Sequence, residues 1–209
     1  MKIDKLGWLV AAALAGAIIG MGFKAPGDKT GTVDVIKVFK DSEYAKTQNE
    51  GLQAQVAARR DVVQFVMANR SMKTEDADKL RVLSTKEKPT AADATDIARI
   101  KADATADEKK ARDLQTKEKP TPAELTQIED YTKRKDATGQ RLDRWKEEFN
   151  AELQAQQEKM NNDALVRVRQ IIQQVARDQG FSIVFAQEVA PYSANDLTAD
   201  ALKAMNNKK

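Results

Sequence analysis

The chain of 209 residues contains no cysteine and no histidine. That double absence excludes a disulfide framework, a thiol nucleophile, a cysteine- or histidine-ligated zinc site and any histidine base. A chain without cysteine is compatible with an oxidising compartment. Aromatic residues are scarce, at 5%, and alanine inflates the hydrophobic share of 41%. With 32% of residues charged, such a composition describes long helices and coiled coil rather than a thick globular core. Charge of one sign is lacking too, since 35 basic and 32 acidic groups leave a net +3. That balance falls far short of a nucleic-acid-binding domain, so no nucleic-acid partner is expected.

One long uncharged run is present. "MKIDKLGWLVAAALAGAIIGMGFKA" places Lys2 and Lys5 before an uncharged stretch from Leu6 to Phe23, closed by Lys24. Residues 1–25 therefore read as an export signal or an N-terminal membrane anchor. The run exceeds the apolar core of about 7–15 residues usual in a secretory signal, and no strong A-x-A site follows it. It also approaches the minimum length of a membrane-spanning helix. Ala12, Gly16 and Gly20 recur at four-residue spacing, a pattern that lets two such helices pack closely. Both fates place the remainder in the periplasm or cell envelope, with the membrane surface as a possible partner.

Residues 26–40 read as a linker followed by a first strand, in which Val33, Val35 and Ile36 are β-branched. Asp41-Ser42 offers a helix cap, and residues 41–70 form an outgoing helix. Leu52, Val56, Val63 and Val66 mark one thin apolar face of it, with coiled-coil-like spacing.

Residues 71–138 contain a duplication. The hexapeptide TKEKPT stands at Thr85–Thr90 and again at Thr116–Thr121. The match extends well beyond it at a fixed offset of 31 residues, which pairs Thr74 with Thr105, Leu83 with Leu114, Pro89 with Pro120 and Ile97 with Ile128. Thr90-x-x-Asp93, Thr105-x-x-Glu108 and Thr121-x-x-Glu124 have capping-box spacing, the last with Pro122 at the favoured first helical position. Each unit is therefore expected to be a short helical hairpin with TKEKPT as its turn, four short helices in all.

After Asp136–Gly139, residues 139–179 read as a returning helix. Leu142, Trp145, Phe149, Leu153 and Met160 form its apolar line, and Leu165, Val168, Ile172 and Val175 continue it. Gly180 stands where a left-handed residue ends a helix. Residues 180–209 then hold the strand "FSIVF", an expected edge strand at Val189–Tyr192 and a terminal helix from Thr198. The fold class that follows is mainly α with a small β body: a long antiparallel helical hairpin projecting from a few short strands. A lone two-stranded ribbon is marginal in water, so the strands are expected to assemble between copies of the chain.

The two ends resemble the Skp/OmpH family of periplasmic chaperones. The segment "TVDVIKVFKDSEYAKTQNEGL" is similar to that family's opening strand and helix. "GFSIVFAQEVAPYSANDLTADALKAMN" is similar to its closing segment. The resemblance implies a homotrimer whose strands form a β body, with helical hairpins projecting around a cavity. There, without ATP, unfolded outer-membrane proteins are held and kept from aggregating. It matches Val33, Val35, Phe181, Ile183, Val184 and Phe185 to the body strands. The duplicated segment departs from the family pattern and leaves cavity shape and client size open.

No catalytic residue, metal site or cofactor is expected, and an enzyme is not. "GFKAPGDKT" imitates a phosphate loop, but Asp28 displaces the lysine, and the segment precedes a strand where a phosphate loop follows one. The alternative class is a membrane-anchored coiled-coil spacer or envelope tether. Leu52, Val56, Val63, Val66, Leu142, Trp145, Phe149 and Leu153 then serve as seam between helices, or in part as client contacts.

Overall fold

In the computed structural model, residues 29–207 are described in full, together with the backbone of Ile19–Gly20. The export-signal or anchor reading of residues 1–25 and the phosphate-loop-like stretch lie outside the fully described residues. Among those described, no helix is long and apolar enough to cross a membrane. The chain is mainly helical, at 75% helix against 5% strand. In order come β1 (Ile19–Gly20), β2 (Thr30–Val33), α1 (Val35–Lys40), α2 (Glu43–Ala68), α3 (Thr74–Ser84), α4 (Ala91–Gln115), α5 (Pro122–Asp178), β3 (Ile183–Ala186) and α6 (Thr198–Asn207). Two compact units divide the chain, one made of residues 1–51 with 156–209 and one of residues 52–155.

In the first unit β2 and β3 pair in parallel, Thr30 opposite Ile183 and Val33 opposite Ala186. β1 pairs antiparallel on the other side of β3. The strands anticipated from sequence thus find each other within one chain. The outer edge of β2 is also occupied, because Thr32 N–H donates to the Asn195 carbonyl and Leu197 N–H to the Thr32 carbonyl, each at 2.8 Å. This Asn195–Leu197 contact replaces the edge strand expected at Val189–Tyr192. There the chain turns after Ala186, Pro191 has no N–H to offer, and Tyr192 is 89% exposed.

The first strand ends earlier than expected. Asp34 accepts a bond from Lys37 N–H at 2.8 Å and caps α1, so Val35 and Ile36 are helical. Ser42 caps α2 by accepting from Ala45 N–H at 3.1 Å. At the other end Gly180, at φ 73°, closes α5 with a paired cap. Its N–H donates to the Arg177 carbonyl at 3.1 Å and Phe181 N–H to the Ala176 carbonyl at 2.9 Å. Phe181 is therefore the hydrophobic residue of that cap, buried ahead of the strand rather than within it. Val33, Val38, Val168, Ile171, Ile172, Val184, Leu197 and Met205 fill the body core around it. Gly31 permits this packing, because a Cβ there would lie 2.5 Å from Leu197 Cδ1 and 2.9 Å from Phe181 Cε1.

In the second unit both TKEKPT copies are turns between helices, as anticipated, but the four short helices are not formed. Thr105 does not cap a helix. It lies inside α4 and its hydroxyl donates to the Lys101 carbonyl at 2.8 Å, so the chain passes from one repeat into the next without a break. Nor does Asp136–Gly139 interrupt anything, since α5 runs 57 residues from Pro122 to Asp178. Gly139 alone costs a helix about 1 kcal/mol, too little to end one so long. In compensation it admits Arg70, whose Nη2 stands 2.6 Å from where a Cβ would be.

Candidate functional site

The residues anticipated as body strands separate into two groups. Val33 and Val184 point into the core, as do Val35 from α1 and Phe181 from the helix cap. Ile183 and Phe185 alternate to the opposite face of β3, half-buried and outside that core. Among the anticipated seam residues, Val66, Leu142, Trp145 and Phe149 are buried together in the core of the second unit, with Val63 packed against them. Leu52 and Leu153 are only half-buried, and Val56 is exposed at 45%. The seam bends away from Val56 to Val62, which is 2% exposed. Sequence reasoning missed Val62 although it stands four residues before Val66, the spacing of one helix face. Met72, Leu80 and Ile100 were also missed, and all are essentially inaccessible.

Two stretches lack any buried residue. On α2 none occurs from Glu43 to Asp61, and on α5 none from Asn150 to Asp163. Leu52, Val56, Leu153 and Met160 are thus spread thinly along polar helix.

The duplicated turns match down to individual bonds. Lys86 Nζ lies 2.6 Å from Asp93 Oδ1, and Lys117 Nζ 2.6 Å from Glu124 Oε1. Thr90 N–H donates to Asp93 and Thr121 N–H to Glu124, each at 2.8 Å, and the threonine hydroxyls accept in return from the backbone of Asp93 and Glu124. The turn lysine and the capping threonine bond the carboxylate form, holding Asp93 and Glu124 down to about 2. Because these carboxyls titrate lower folded than unfolded, their contribution is complete above the unfolded value near 4 and declines as pH falls towards 2. Helical signal should accordingly decline between pH 4 and pH 2. An Asp93→Asn, Glu124→Gln protein should lose that acid-dependent component in a circular-dichroism titration. If both proteins titrate alike, the caps are not what responds to acid.

The two cores of the repeat differ in a compensating way. Leu83 and Ile97 are repeated as Leu114 and Ile128, but Leu80 with Ile100 becomes Ala111 with Tyr131. One site loses a large side chain and its companion gains a larger one. The Tyr131 hydroxyl donates to Asp107 Oδ1 at 3.4 Å, and Arg134 pairs with the same carboxylate at 3.3 Å.

The strongest polar cluster lies over the aromatic pair. Arg81 bonds Glu148, and also Glu152 at 3.0 Å, while Arg59 reaches Glu152 at 3.0 Å. The Arg81 guanidinium stands 4.7 Å from the Phe149 ring centre and 5.5 Å from that of Trp145. Stacked on both rings and paired with two carboxylates, it covers the aromatic core. Asp78, Arg81, Val82, Thr85, Lys86 and Glu152 line an open recess of about 430 Å³. No protein-family model, curated protein or solved structure matches the chain. Among the described residues, no acidic cluster could hold a metal ion.

Proposed function

We propose that the chain is an exported, ATP-independent holdase that keeps unfolded outer-membrane or other exported proteins from aggregating. In this reading α2 and the returning part of α5 form a long antiparallel hairpin. Copies assemble as a homotrimer through the body, where Ile183 and Phe185 offer an apolar face outside the subunit core. The observation that carries the proposal is the pair of stretches Glu43–Asp61 and Asn150–Asp163. They leave isolated apolar side chains, Val56 exposed and Leu52, Leu153 and Met160 half-buried, on a polar background. Such contacts are individually weak, so a non-native client remains mobile while its apolar segments are kept from one another. The resemblance of both chain ends to the Skp/OmpH family supports the same reading.

A membrane-anchored spacer is the rival, and it shares the long helices without needing an exposed Val56 or half-buried Leu52 and Leu153. An aggregation assay with several unfolded β-barrel proteins, alongside sedimentation of the chaperone candidate, separates the two. Stoichiometric trimer should suppress light scattering for more than one client. Suppression of none, or a monomer in solution, would overturn the proposal. A Val56→Ser, Leu153→Ser protein should remain folded and suppress less.

A further inference from the structure

The small sheet has two edges, and they are closed in different ways. Beyond β2 the segment leading into α6 finishes the sheet, through the Thr32 bonds to Asn195 and Leu197. The Asn195 side-chain amide adds a bond to the Thr30 carbonyl at 2.9 Å. Beyond β3 the sheet is finished by β1, with Ile19 opposite Val184 and Gly20 opposite Ile183.

The β3 edge needs such a cover. From Phe181 to Gln187 the chain has no charged residue and no proline, two of the devices by which sheet edges avoid pairing with another chain. The cover is slight. β1 is two residues long, and one of them is a glycine, which weakens a strand. Gly20 also brings no side chain to stand beside the half-buried Ile183.

β1 is drawn from the uncharged run Leu6–Phe23. Inside a bilayer such a run must satisfy its backbone within itself, as helix. Ile19 and Gly20 therefore cannot pair with β3 and span a membrane at once. Cleavage that carries them away uncovers β3 in the same way.

We propose that the β3 edge is a strand-acceptor site that residues 19–20 hold closed in cis. It opens when the uncharged run enters a membrane or is cut off. Its next occupant is an extended segment of a second copy, bound through main-chain hydrogen bonds. That last step rests on the homotrimer proposed above. The N-terminal segment thereby keeps copies apart until it has left the body.

A chain without cysteine lets one engineered pair report on the contact. Gly20→Cys with Ile183→Cys sets two thiols at directly opposed positions, within disulfide reach. Oxidised in water as the full chain, most molecules should form the link within one chain. A Gly20→Cys, Tyr192→Cys control should link several-fold less. Vesicles of phosphatidylethanolamine and phosphatidylglycerol, present during oxidation, should lower the Gly20–Ile183 yield several-fold. The other register pair, Ile19→Cys with Val184→Cys, should behave alike and decides if the first variant misfolds. On the same vesicles, amine cross-linking should give multiples from the reduced chain and single copies from the linked one. A yield no higher than the control or unchanged by vesicles overturns the proposal, as does a disulfide joining two chains. Equal assembly of linked and reduced chains overturns β3 as the edge that copies share. If neither assembles while the link and its loss on vesicles hold, the homotrimer reading fails and the edge closed in cis stands.

Discussion

Replacing Trp145 with alanine should cost the second unit about 3–5 kcal/mol, read as a lower denaturant midpoint in equilibrium unfolding. Trp145 is 3% exposed, lies 6.4 Å from the Phe149 ring and carries Arg81 on its face. Its removal opens a cavity among Val62, Leu80 and Leu142, and takes away one surface on which the guanidinium is stacked. The same measurement decides between two roles for this residue. A seam residue loses stability when truncated, whereas one reserved for clients loses binding while the fold holds. Unfolding unchanged beside weakened client binding would sink the seam assignment.

Leu80→Ala should be nearly as damaging, at about 2–5 kcal/mol, because Leu80 is fully buried. Ile100→Tyr alone should overpack the same core by about 1–3 kcal/mol. Together they reproduce the Ala111–Tyr131 pair of the second repeat and should cost clearly less than their sum. The polar requirement is also met in principle, since Asp76 stands 31 residues before Asp107, the acceptor of the Tyr131 hydroxyl. Additive losses in a double-mutant cycle would show that the two repeat cores are not interchangeable solutions to one packing problem.

The legible parts of this fold were those specified by short-range chemistry. TKEKPT announced two turns because threonine, an acidic residue three positions on and a preceding lysine bond one another within eight residues. Gly180 announced the end of α5 for the same reason. What failed was the inference that every start signal starts something. Thr105-x-x-Glu108 has the spacing of Thr121-x-x-Glu124, but no proline precedes it, so the helix simply continues through. Asp136–Gly139 likewise contains turn-forming residues without a stop strong enough to end α5. Long-range choices were less legible still. Asp34 and Val35 compete between strand and helix, and Thr198 helps decide by accepting from Asp34 N–H at 2.8 Å across 164 residues. Val62 replaced Val56 in the seam because Leu80, Ile100 and Trp145 fix which side of α2 is covered. No periodicity in α2 alone contains that information.

The sheet register has a consequence for how the chain acquires its structure. Thr30 must wait for Ile183, a partner 153 residues further along. At about 5–20 residues per second, the ribosome delivers that partner roughly 8–30 s after the first strand. Contacts of such separation are slow to close unless the intervening chain shortens first. The turns at Thr85–Thr90 and Thr116–Thr121 close within a few residues and involve neither strand. The repeated segment can therefore condense early and reduce the search that joins the two ends. On that view the duplication acts as a folding aid for the body, whose strands are the last elements to be secured.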